Sequence, residues 1–356
     1  MRIGIPKEVK VLEGRVGLIP AAAAELVQRG HEVFVQSGAG VLSGYADQAY
    51  AQAGVKVLPD AAALYGIAQM IVKVKEPQPA EVALLRKDHL LFSYLHLAAE
   101  PQLTDALLKV GLTGVAFETV EEAGGKLPLL APMSDIAGRI AVQAGVHYLH
   151  RPLGGKGILL GGLPGTERGS VVILGAGVAG GGAAIMAAAM GAQVTIFDRN
   201  RDKLAAMRAL GPNVTALYPF AEQIERTVLK ADMVIGAVLL VGEKAPHLIS
   251  AETIRRMEPG SIIVDISVDQ GGCIETTKPT TYADPIYVWE GVTHFAVTNM
   301  PGAVPTTASQ ALSAALLRYT LMLADPGWEM QPALAKGINV RSGQIIHPGL
   351  RRTLGL

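Results

Sequence analysis

Short runs of aliphatic and β-branched residues recur along the chain, separated by stretches where Ala and Leu return at helical spacing. Ile3–Ile5, Val33–Val35, Met70–Lys75, Leu90–Leu95 and Gly114–Phe117 read as strands, and Ala21–Arg29, Ala80–Arg86 and Gln102–Lys109 as helices between them. A longer helix is predicted over Ile136–His150, followed by a glycine-rich connection at 153–165. A second alternating series then begins, with strands at Val171–Leu174, Val194–Phe197, Val214–Leu217, Met233–Val238 and Ile262–Ile266. Pro305 opens a helix over Thr306–Ala324, and the tail beyond Gly327 reads as short and irregular. Strands that are apolar on both faces and alternate with helices predict parallel sheets covered on both sides. The expected fold class is α/β: two doubly wound Rossmann-like domains with parallel sheets and an active site in the cleft between them.

Composition narrows the chemistry. Half of the 356 residues are hydrophobic and 17% are charged, which excludes intrinsic disorder. Lys plus Arg number 31 and Asp plus Glu 31, so no basic footprint for nucleic acid or an anionic membrane is expected. Cys273, the single cysteine, can form neither an internal disulfide nor a cysteine zinc site. His147 and His150 lie one helical turn apart with no carboxylate or thiol beside them, so no metal is expected. The opening MRIGIPKEVK lacks the apolar core of a secretion signal. Ser170–Phe197 carries no charged residue and has the length of a membrane span, but six glycines interrupt it and no Trp or Tyr marks its ends. A soluble cytoplasmic protein is the expectation.

That same stretch holds a nucleotide-binding pattern. Gly175-Ala176-Gly177-Val178-Ala179-Gly180 fits G-x-G-x-x-G, directly after a β-branched run and before an Ala-rich one. The first glycine allows a tight turn, the second lets backbone approach a pyrophosphate, and the third lets helix and strand pack closely. The next strand ends in Asp198, where a carboxylate can accept hydrogen bonds from ribose hydroxyls and repel a 2′-phosphate. NAD is therefore expected over NADP, although Arg199, Arg201 and Lys203 follow closely. The simpler alternative is that the glycines close a turn and Asp198 caps the next helix.

A nicotinamide enzyme needs a substrate grip and usually a proton carrier. Lys73 and Lys75 alternate with valines and so share one face of the predicted strand, with Lys75 nearer its C-terminal end. His96 ends the run Leu91–Leu95, and imidazole titrates near neutrality. Arg15 follows the first strand, and a guanidinium can hold a carboxylate through two parallel hydrogen bonds. Asp269 follows the Ile262–Ile266 strand, with Asp265 a rival carboxylate. Each alone also has a plain structural explanation: a core histidine, a solvated cation or a turn cap.

Taken together, the segments GIPKE (4–8), EGRVGLIP (13–20), KVKEP (73–77), YLHLA (94–98), MSDIAGR (133–139), GAGVAG (175–180), GAVL (236–239), VDISVDQGG (264–272), TTYADP (280–285) and NMPGAVPTTAS (299–309) resemble the alanine dehydrogenase/pyridine nucleotide transhydrogenase family. The resemblance spans nearly the whole chain in order. It implies reversible NAD-dependent deamination of L-alanine to pyruvate and ammonia by a homohexamer. Arg15 and Lys75 would hold the substrate carboxylate and carbonyl, Met133 would pack near its methyl, and His96 would be the acid/base. Asp269 would act beside substrate and nicotinamide. Ser134 would contact cofactor phosphates, Val238, Leu239, Asn299 and Met300 would line the nicotinamide side, with Asn299 also a substrate-binding residue, and Lys203 and Ile266 would be further cofactor-binding residues. Residues 1–128 and 306–356 would form the substrate domain and 129–305 the NAD domain. The rival within the family is a transhydrogenase subunit serving a membrane partner, which the retained His96 opposes. A nucleotide-binding protein without catalysis is opposed by the intact set Arg15, Lys75, His96 and Asp269.

Overall fold

The computed structural model describes residues 1–238 and 246–355, and the backbone alone at 269 and 270. The chain divides into two compact units, Met1–Met133 with Val304–Leu356, and Ser134–Ala303. Among the described residues fifteen strands run in chain order as β1 (Arg2–Ile5), β2 (Glu32–Gln36), β3 (Lys56–Leu58), β4 (Met70–Val72), β5 (Leu90–Ser93), β6 (Thr113–Ala116), β7 (Ser170–Leu174), β8 (Gln193–Phe197), β9 (Val214–Leu217), β10 (Met233–Gly236), β11 (Ile262–Asp265), β12 (Ile286–Trp289), β13 (Val292–Phe295), β14 (Ile338–Arg341) and β15 (Gln344–Ile345).

The first unit's sheet has the order β15-β14-β6-β5-β4-β1-β2-β3, and the second unit's β12-β13-β11-β10-β7-β8-β9. In each, the strand order reverses beside the first strand of the unit, between β1 and β4 and between β7 and β10. At such switch points the loops leaving the strand ends diverge, which opens a crevice for a ligand. Ile3, Ile5, Ile71, Leu91 and Phe92 are buried in the first unit, and Val172, Ile173, Val234 and Ile263 in the second. Each such side chain contributes about 1.5–3 kcal/mol on leaving water.

Several expectations need correction. The sheets are not wholly parallel. The tail is not irregular: β14 pairs antiparallel with β6 and with β15. In the second unit, β12 pairs antiparallel with β13. Both hairpins turn on two residues with positive φ: Ser342 (50°) and Gly343 (79°), and Glu290 (48°) and Gly291 (80°). That backbone matches the right-handed twist of a hairpin. The strand expected over Met70–Lys75 stops at Val72, and the helix expected over Ala80–Arg86 is the single turn Pro79–Val82. The long helices are present as Ala131–Tyr148 and Pro305–Ala324. No helix of the described residues is long and apolar enough to cross a membrane; Ser170–Phe197 is a strand, a helix and a strand.

Candidate active site

At the first unit's switch point, Arg15 lies on the loop after β1. Its loop is pinned to the helix Pro305–Ala324: the Val16 N–H donates to Ser309 Oγ at 3.0 Å and the Ile19 N–H to Ser313 Oγ at 2.9 Å. Arg15 is 3% exposed and Glu13 5%. Glu13 accepts from Arg15 Nε at 2.7 Å and from Nη2 at 2.5 Å, the two-point grip suited to a guanidinium. Nη1 meets Met133 Sδ at 3.2 Å. Burial works against the charge, but Glu13 outweighs it and holds the Arg15 pKa above its ordinary value. Arg15 and Met133, distant in sequence, are thus brought together.

Lys75 follows β4 in a loop, not a strand. Lys73 is therefore not its partner on one face; it is sealed inside the unit, paired with Glu8 at 2.9 Å and Glu81 at 3.3 Å. The Lys75 ammonium is 3.8 Å from Glu76 Oε2. Glu76 also pairs closely with Lys10. Burial would raise the Glu76 pKa, yet Lys75 and Lys10 together hold it below its ordinary value.

His96 sits just past β5 with φ +47°, a conformation that side-chain-bearing residues rarely adopt and that recurs at functional sites. Its N–H donates to Glu118 Oε1 at 2.7 Å, and its exposed ring stacks on Tyr94 at 5.7 Å and 7°. Tyr94 is fixed in turn, its hydroxyl donating to Leu129 O at 2.6 Å. Glu13 and Glu118 carry out this positioning. The sequence alone assigns Glu13 no role, and the only trace of Glu118 in it is a carboxylate closing the apolar run at β6.

In the second unit, β7 leads into Gly175 at φ +97°. A methyl group on Gly180 would lie 1.8 Å from Gly175 O, and one on Gly138 would lie 2.0 Å from Ala179 O. The turn therefore requires glycine, and the helix Ala131–Tyr148 lies directly against the next helix, Val178–Ala189. That helix is capped at Gly177 without a side-chain hydrogen bond, so Val178, Ala179 and Gly180 present first-turn N–H groups and a positive dipole end. Gly177 has open space where a side chain would go. Asp198 closes the other side. Its carboxylate accepts from the Ala176 N–H at 2.7 Å and the Asn200 N–H at 2.8 Å. The cap of the following helix is Asn200, not Asp198: it accepts from Asp202 N and Lys203 N. Lys203 is exposed on that helix's first turn. A backbone cradle with one carboxylate at its rim fits a dinucleotide.

Val238 O accepts from Ser267 Oγ at 2.8 Å, and Gly175 lies against the Ala237–Val238 peptide. Ile266 begins a 3-10 helix, Ile266–Gln270. Asp265 is the structural carboxylate. It accepts from Ser267 N, Cys273 N and Thr277 Oγ1 at 2.8–3.0 Å, is fully buried, and is pushed up by that burial. Asp269 lies on the same 3-10 helix; its side chain, and all of Leu239, are outside the described residues. Asn299 has φ +59°, Met300 is buried with its carbonyl accepting from Tyr282 Oη at 2.7 Å, and Ser134 is half-buried on Ala131–Tyr148. Among the described residues no cluster of three His, Cys, Asp or Glu could hold a metal.

The twin switch-point sheets and the glycine cradle define an α/β protein of the dinucleotide-binding class, and comparison with known proteins gives the family. Residues 4–137 match the alanine dehydrogenase/PNT N-terminal domain and residues 141–348 the corresponding C-terminal domain. The chain belongs to the alanine dehydrogenase/PNT family. It is 47% identical to an alanine dehydrogenase of Halomonas elongata over 100% of this chain and 97% of that protein. It is 46% identical to one from Mycobacterium tuberculosis over the same shares. A solved L-alanine dehydrogenase superposes with a TM-score of 0.96 at 50% identity, covering 100% of this chain and 99% of that one. A transhydrogenase from Sinorhizobium meliloti superposes at 0.85 and 26%, covering 98% and 99%.

Proposed function

We propose that the protein is an NAD-dependent L-alanine dehydrogenase, interconverting L-alanine and water with pyruvate and ammonium. One arrangement carries the reading: Arg15, Lys75 and His96 follow β1, β4 and β5, at and beside the first switch point, and the glycine cradle and Asp198 follow β7 and β8 at the second. The full-length likeness to alanine dehydrogenases supports it over the transhydrogenase reading.

In this reading the first unit is the substrate domain and the second the NAD domain. The cradle N–H groups and Ser134 hold the pyrophosphate, and Asp198 accepts from the ribose hydroxyls, with Lys203 beside it. Val238, Leu239, Ile266, Asn299 and Met300 line the nicotinamide side. When bound, NAD supplies the two-electron acceptor for the hydride of the substrate Cα. Arg15 holds the substrate carboxylate, pre-oriented by Glu13, with Met133 beside the methyl. Lys75 steadies the developing carbonyl oxygen. His96 takes a proton from the attacking water and returns one to the departing amine. Asp269 would offset the positive charge that the oxidised ring carries before hydride transfer and the substrate nitrogen carries after it. The assembly is the homohexamer that the family resemblance implies, which light scattering checks. The decisive assay is absorbance at the NADH band with L-alanine and NAD; no NADH formation, with cofactor binding intact, overturns the reading.

A further inference from the structure

Lys75 is held by more than its own loop. Glu8, on the loop after β1, accepts from the Val74 N–H through Oε1 at 2.6 Å and from the Lys75 N–H through Oε2 at 3.3 Å. The same Oε2 accepts from Lys73 Nζ at 2.9 Å, and Lys73 Nζ also donates to Lys75 O at 2.8 Å. One buried ion pair therefore grips the Lys75 backbone by both its N–H and its C=O. It also ties together the two loops that diverge at the switch point.

Burial of this kind is unfavourable unless the pair is well satisfied, and a hydrophobic pair of equal volume is often no less stable. Lys73 is 1% exposed and Glu8 7%. Glu81 adds a second carboxylate, which accepts from Lys73, from Tyr65 Oη at 3.1 Å and from Gln78 N at 2.8 Å. Stability alone gives no reason for a lysine and two glutamates here. Placement of the neighbouring residues does, because Lys75 and the adjoining Glu76 carboxylate emerge directly from the clamped peptide. The Glu76 Oε2 atom is buried without a hydrogen-bond partner, 3.8 Å from the Lys75 ammonium. Glu76 thus lies near that ammonium, and the clamp grips the backbone from which both side chains extend.

We infer that Glu8 and Lys73 are positioning residues for Lys75, fixing through its backbone where the Lys75 ammonium meets the substrate oxygen. The inference rests on the role proposed for Lys75. Burial works against the Lys73 charge, but Glu8 and Glu81 outweigh it, so the clamp stays ionised. Glu8→Gln breaks the clamp with little change in volume. An amide has one acceptor oxygen, so its NH2 must face either the Val74 N–H or the Lys73 ammonium.

Amide-resolved hydrogen exchange on the intact chain tests the clamp first. Val74 and Lys75 amides should be protected in the unaltered protein; exchange at the rate of exposed amides would overturn the inference without any variant. In Glu8→Gln, and in Lys73→Met as a second variant, that protection should fall about 10-fold or more. kcat/KM for L-alanine should fall about 10- to 100-fold, since small misplacements cost that much. NADH affinity should stay within about 2-fold, because the cradle lies in the other unit. A purely structural role would lower Tm and leave the kinetic constants of the folded fraction unchanged; that result, with protection lost, overturns the inference. Lys75→Ala, run alongside, separates the two readings. If it turns over normally, the role proposed for Lys75 is wrong. If it is inactive while the clamp variants are normal, only the clamp is wrong.

Discussion

The two units share the central strand order around the switch point and differ at the edge beyond it, yet they equip that point in opposite ways. The second unit builds its crevice from backbone: three glycines, a helix N-terminus and one carboxylate, Asp198. The first builds it from buried charge: Glu8, Glu13, Arg15, Lys73 and Glu76 are each at most 7% exposed. Under the proposed function, the difference follows from the ligand each unit would hold. A pyrophosphate is large and anionic, and several N–H groups at a helix end can share it without a cation. A small amino acid offers few atoms, so each must meet a side chain whose direction is already set. Setting a long cation's direction requires a second charge behind it, and hence buried pairs.

The sharpest way to break the comparison is His96→Ala. It should cost about 10²- to 10⁴-fold in kcat with NADH binding unchanged; activity within a few-fold of the parent would move the proton carrier elsewhere, Lys75 being the next candidate. Next, Glu13→Gln removes one side of a buried pair, a change worth about 3–5 kcal/mol. It should raise the alanine KM strongly in steady-state assays. Arg15→Lys should not restore function where Arg15→Ala has lost it, because an ammonium lacks the planar fork.

The second unit should respond in the opposite sense. Asp198→Ala should weaken NADH binding by about 1.5–3 kcal/mol and relax the preference against NADPH. Fluorescence titration reads both, and alanine saturation should be untouched. The smallest effect concerns Glu76. Its carboxyl is held below the ordinary 4.5 by Lys75 and Lys10 against the opposing effect of burial. A depressed carboxylate stabilises above its unfolded pKa and loses that contribution as pH falls through the folded one. Glu76→Gln should thus unfold at lower urea concentration at neutral pH, and the gap to the parent should close as pH falls below that ordinary value.

Much of the second unit is legible in the sequence, and less of the first. The cradle can be read because glycine spacing, strand and helix sit within Ser170–Asp198, so the geometry is local. The clamp cannot. Lys73 looks like any charged residue on a strand, and its partner Glu8 is 65 positions away. Only the pairing of β1 with β4 brings them together. The hairpin at the tail is hidden differently: β15 has two residues, too few for alternation to show. Its turn is written in Ser342-Gly343, a dipeptide that favours the positive φ found there.

The pairing of β14 with β6 also bears on the order in which the protein is made. Ile338 lies opposite Val115, more than 200 residues earlier, so the first unit's sheet cannot be completed until the residues of β14 have left the ribosome. The second unit is one unbroken stretch, Ser134–Ala303, and needs no later residue to close its sheet. At roughly 5–20 residues per second, the early strands wait on the order of ten seconds or more for their last partner. During vectorial synthesis the nucleotide cradle can therefore be finished first, while the half that carries most of the buried charge is closed last.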